Sequence, residues 1–84
     1  MHKKQLGVKI NELRLKLGFT LNDFAKELNK ALRFKKANRS LIYFWEHGLF
    51  YPSEKYARAI SELAKHHKFP LNYADIMARK KIVL

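Results

Sequence analysis

Residues 38–48 read Asn-Arg-Ser-Leu-Ile-Tyr-Phe-Trp-Glu-His-Gly, and the rest of the chain is organised around them. Asn38 suits a helix N-cap, because its side chain can accept a bond from an orphaned first-turn N–H, and Gly48 suits the C-terminal stop. Ile42 and Trp45 stand three apart, with Leu41 four before Trp45, which gives this short helix an inward stripe. The opposite face is left to Arg39, Ser40, Tyr43, Phe44 and His47. A helix this short is not stable alone, so its neighbours must hold it.

Upstream, Leu6, Ile10, Leu13 and Leu17 fall at spacings of four, three and four, the stripe of an amphipathic first helix that Gly18 ends. Thr20 then reads as an N-cap, with Asp23 as its capping-box partner and Phe19 and Phe24 at the staple positions. Phe24, Ala25, Leu28 and Leu32 carry a second helix inward. Only Gly18 and Phe19 connect the two, so they must turn sharply against each other. No periodic stripe runs from Arg33 to Ala37, and the basic residues Lys30, Arg33, Lys35, Lys36 and Arg39 occur there with no acid among them. The run is read either as a solvated basic loop or as a binding segment that delivers the chain into the third helix.

Downstream, Leu49-Phe50-Tyr51-Pro52 forms a loop, and Ser53 is placed to cap a fourth helix with the stripe Tyr56, Ile60, Leu63 and Ala64. His66, His67 and Lys68 suit that helix's negative end. After Phe69-Pro70, Asn72 with Asp75 caps a fifth helix, with Leu71 and Ile76 as its staple. The expectation is an all-α chain of five short helices forming a single domain over residues 1–84, with a lengthened turn between helices 2 and 3.

The chain has 18 Lys and Arg against 7 Asp and Glu, a formal net charge of +11, so polyanions are the expected partners. There is no cysteine, which excludes disulfides and thiolate metal sites. No apolar run approaches the roughly 18 residues of a membrane span, and a soluble cytoplasmic protein with no membrane partner is expected. His2, His47, His66 and His67 make no metal-binding pattern, since adjacent helical histidines diverge and no carboxylate pair matches them. No nucleophile, acid–base pair or Gly-rich phosphate loop is apparent. No catalytic residue and no cofactor are expected, and the chain is not read as an enzyme.

A tight helix pair followed by a short capped helix on a basic scaffold suits a major-groove reader. The groove is about 12 Å wide and admits one helix, while a preceding helix can direct its first N–H groups at phosphates. Arg39 and Ser40 are then placed to reach base edges, Arg39 taking a guanine, and Thr20 a phosphate. The pattern Leu13-Arg14-x3-Gly18-Phe19-Thr20-x4-Ala25-x2-Leu28, then Ile42-x2-Trp45-Glu46-x-Gly48-x3-Pro52-Ser53, resembles the helix-turn-helix domain of the lambda repressor and Cro family, also called the xenobiotic-response-element-like family. The likeness runs from about Val8 to Lys65. It implies a five-helix repressor-like DNA-binding domain and a regulator of transcription that binds operator DNA, commonly as a symmetric homodimer. By analogy it also implies a bacterial, phage or mobile-element source and a structural ion pair between Arg14 and Glu46.

Two departures from the family stand out. The spacing from Ala25 to Ile42 is several residues longer than usual, and Leu21 replaces a glutamine that in many relatives contacts the DNA backbone. The insertion is read as a longer second helix plus a basic loop in which Arg33, Lys35 and Lys36 add phosphate contacts; it could equally meet a partner protein. Asn38 and His47 are read as phosphate neighbours, and the Tyr51 hydroxyl as a phosphate donor. Tyr43 and Phe44 are read as apolar contacts to thymine methyls, as packing beneath the insertion, or as part of a protein-binding patch. The apolar end Ile82-Val83-Leu84 is read as a tail capping the core or as a dimer contact. Three functions follow: a sequence-specific double-stranded DNA-binding repressor, a protein-binding inhibitor of the antirepressor or anti-CRISPR type on the same fold, or an RNA binder.

Overall fold

The computed structural model describes residues 1–34 and 36–78. The expectations at Lys35 and at the Ile82–Leu84 end lie outside those residues. The described residues form five helices and no strand: α1 (Lys3–Lys16), α2 (Leu21–Lys30), α3 (Arg39–Glu46), α4 (Glu54–His66) and α5 (Tyr73–Met77). None of these helices is long and apolar enough to cross a membrane.

Local chemistry accounts for most of the boundaries. At α2, Thr20 Oγ1 accepts from the Asp23 N–H at 3.1 Å, and Asp23 Oδ2 accepts from the Thr20 N–H at 3.4 Å, so the capping box forms. The Phe19 and Phe24 rings meet beside it, 6.4 Å apart. Asn38 caps α3 through the Leu41 N–H at 2.9 Å, and Asn72 caps α5 through the Asp75 N–H at 2.7 Å. Ser53 occupies the N-cap position of α4 but makes no side-chain cap bond, which corrects its expected role. The first helix begins earlier than its apolar stripe, because His2 Nδ1 accepts from the Lys4 N–H while Gln5 Oε1 accepts from the His2 N–H.

The second helix is not lengthened. It ends at Lys30, and Leu32 reaches the core from the connection that follows. Asn29 shapes that connection by both accepting from the Ala37 N–H at 3.0 Å and donating to the Ala37 carbonyl at 2.9 Å. Leu32 and Ala37 are buried while Arg33, Phe34 and Lys36 stay outside. The insertion is therefore a pinned loop with a basic outer surface.

The core is a layer of Leu6, Ile10 and Leu13 from α1, Phe24 and Leu28 from α2, Ile42 and Trp45 from α3, and Ala57, Ile60 and Ala64 from α4. Tyr56 and Leu63, expected in the α4 stripe, are only half-buried, and the small Ala57 and Ala59 take the inner positions. Helix α3 packs against both α1 and α2, while α4 packs against α5 and α2. Trp45 is 1% exposed, and its ring centroid lies 5.2 Å from that of Tyr56, so the third helix is anchored by the largest side chain in the interior. On the outer side of α4, Arg58 bonds Glu54 at 2.7 Å and lies 4.6 Å over the Tyr73 ring of α5. The Arg58 bond, with a second from Tyr73, holds the exposed Glu54 carboxyl below its ordinary pKa.

Candidate nucleic-acid interface

The third helix is held against the fold from its inner side. The Glu46 carboxylate accepts from Arg14 Nε at 2.6 Å, from Arg14 Nη2 at 3.1 Å and from Asn11 Nδ2 at 2.9 Å. Arg14 Nη1 donates to the Phe19 carbonyl at 2.9 Å, so one guanidinium ties α3 to the turn between α1 and α2. The side chains are 14% and 4% exposed, which makes this a largely buried bidentate pair of the strong kind. The backbones also meet closely. A Cβ added at buried Gly7 would lie 2.5 Å from the Trp45 carbonyl oxygen and 2.6 Å from that of Glu46. Only glycine lets α1 approach the end of α3 this far. Gly7 and Asn11 were not singled out in the sequence, and a helix-interior glycine gives no local sign of the backbone opposite it.

With Ile42, Trp45 and Glu46 committed inward, the outer face carries Arg39, Ser40, Tyr43 and His47, all exposed. The Arg39 side chain makes no hydrogen bond or ion pair with any described residue. His47 Nδ1 lies 2.9 Å from the Tyr43 carbonyl oxygen; a carbonyl only accepts, so the bond keeps the proton on Nδ1 and leaves Nε2 as the ring's second polar atom. The imidazole stacks on the Tyr43 ring at 3.9 Å and 24°. Phe44 is half-buried, with its ring edge-on to Phe50 at 5.3 Å and to Tyr43 at 6.1 Å. It belongs to an aromatic cluster more than to the open face.

The residues expected at phosphates divide by place. Arg33 and Lys36 are exposed on the loop that enters α3, and Asn38 is exposed but already engaged as the helix cap. Thr20 stands at the start of α2 with its oxygen engaged by the Asp23 N–H, so only its hydroxyl proton remains for an anion. Asp23 places a negative charge at the same end. Tyr51 is half-buried, its hydroxyl donates to the Met1 carbonyl at 3.4 Å, and Lys3 Nζ lies 5.9 Å from its ring. The structure thus ties Tyr51 to the N-terminal end of α1.

The stretch of sequence that leads into and through α3 is poor in acids. Between Glu27 and Glu54 the only acid in the sequence is Glu46, and its charge is enclosed by Arg14 and Asn11. Of the basic residues in that span, Lys30 pairs with Glu27 at 3.1 Å, and Glu62 of α4 lines the same grooves as Lys30 and Arg33. No family model matches this sequence, and comparison with curated proteins and with solved structures finds no match.

Proposed function

We propose that this chain is a sequence-specific double-stranded DNA-binding regulator, a repressor of the lambda repressor and Cro type, that lays the outer face of α3 in the major groove. The observation that carries the reading is the division of that helix. Ile42, Trp45 and Glu46 hold it from within, and Arg39, Ser40, Tyr43 and His47 are left exposed on a helix whose one acid is enclosed. A rigid helix with free polar and aromatic side chains on one side fits the groove, and Arg39 can bond a guanine through both its O6 and N7. Arg33 and Lys36, with Lys35 beside them in sequence, supply charge for the adjacent phosphates. Bound as a homodimer, two copies would take half-sites about one helical turn apart. The reading is of a cytoplasmic binding protein with no catalytic step and no cofactor.

Exposed Leu49 and Phe50, at 52% and 54%, favour a second reading, in which the aromatic cluster docks a partner protein and the chain acts as an inhibitor of the antirepressor or anti-CRISPR type. Selection of bound sequences from a random duplex pool at near-physiological salt separates the two. One enriched motif, palindromic for a dimer, is expected from the DNA reader. Binding with no enriched motif contradicts it.

A further inference from the structure

Tyr43 is 44% exposed on the outer face of α3, and its hydroxyl makes no hydrogen bond with any described residue. One side of its ring is stacked by the His47 imidazole, and His47 is itself bonded back to the Tyr43 carbonyl. The tyrosine is therefore a supported aromatic surface presented among polar neighbours. The base edges in the major groove offer donors, acceptors and one apolar feature, the 5-methyl group of thymine. An aromatic body that enters the groove loses water without compensation unless it meets that methyl. Phe44 does not compete for it, because its ring is half-buried against Phe50.

Arg39 precedes Tyr43 by four residues, one helical turn along the same exposed strip, and side chains three to four apart on a recognition helix contact successive bases. On the reading that this helix enters the major groove, we infer that Arg39 and Tyr43 act together on adjacent base pairs. Arg39 bonds a guanine, and Tyr43 packs on the 5-methyl group of the neighbouring pyrimidine. The ligand is then a duplex carrying a pyrimidine methyl beside a guanine. Thymine supplies that methyl in unmodified DNA. A 5-methylcytosine presents the same group at the same place, so binding would respond to DNA methylation at that step.

The test uses the operator obtained by selection. Each thymine is replaced in turn by uracil, which removes only the methyl, and each duplex is titrated with the wild-type chain and with Tyr43→Ala. Uracil should weaken wild-type binding about fourfold, the value of one methyl withdrawn from water, at one thymine per half-site. That thymine should adjoin the guanine whose preference Arg39→Ala abolishes. Cytosine and 5-methylcytosine at the same position should differ by a similar factor, and Tyr43→Ala should erase both differences while its melting temperature stays close to wild type. Uracil that is silent at every thymine overturns the inference and leaves the DNA-reading function standing, as does sensitivity that persists in Tyr43→Ala. An operator with no thymine beside the guanine overturns it too. A pool that yields no motif removes the function itself and this inference with it.

Discussion

At Glu46 three donors converge on one carboxylate with a 4% exposed side chain. Glu46→Ala leaves the Arg14 guanidinium largely buried, with the Phe19 carbonyl as its one remaining hydrogen-bond partner among the described residues, an uncompensated charge of the kind that costs about 3–5 kcal/mol. A large fall in melting temperature is expected, together with weaker DNA binding; an unchanged melting temperature would mean that the pair contributes nothing. Gly7→Ala acts on the same contact through sterics. Its methyl would meet the Trp45 and Glu46 carbonyl oxygens at 2.5 and 2.6 Å, both backbone, so the helices must part at a cost of about 1–3 kcal/mol. Urea titration should find the variant less stable with its m-value unchanged. The Arg14–Glu46 pair was legible through the resemblance of the flanking motif. Asn11 and Gly7 were not, because their roles arise 35 or more positions away from the residues they meet, and nothing in the local sequence marks which backbone lies opposite.

Three helices here end in the same way. Gly18, Gly48 and Lys68 each take positive φ, at 74°, 71° and 57°, and the following residue donates back to a carbonyl five before it, as in Phe19 to Arg14, Leu49 to Phe44 and Phe69 to Ala64. This is the Schellman closure, which glycine adopts without strain. Lysine does not, so Lys68→Gly should stabilise by about 1 kcal/mol and raise the melting temperature by roughly 4–8 °C. Differential scanning calorimetry reads it, and a lower melting temperature contradicts it. The two glycine stops were legible, and so were the caps at Thr20, Asn38 and Asn72, because capping chemistry is local. The end of α2 was not. Leu32 continues the spacing set by Leu28, and periodicity does not distinguish a helical turn from a loop that returns a leucine to the core. Asn29 decides it by bonding both polar groups of Ala37, a contact eight residues long with no signature of its own. The same limit applied to α4, where small alanines sit inside and Tyr56 and Leu63 lean on the rim.

Over the whole molecule, the net charge of +11 predicts attraction to polyanions, and the structure adds how one span carries it. Glu46, the one acid between Glu27 and Glu54, is spent on Arg14 and Asn11. Lys36→Ala should weaken binding to all duplex sequences alike and reduce the slope of log affinity against log salt by about one unit; a change confined to one sequence would place Lys36 on a base. Charge and helix order were readable from composition and spacing, whereas the choice among DNA, RNA and protein was not, since net charge does not distinguish polyanions. The proposal of DNA rests on a firmly held helix whose exposed face carries Arg39 and Tyr43. Parallel selections from one random duplex pool, with wild type and with Arg39→Ala, test that claim most directly. The account predicts one enriched motif for wild type and the same motif for the variant with its guanine position relaxed. No wild-type motif, or one that Arg39→Ala leaves intact, would contradict it.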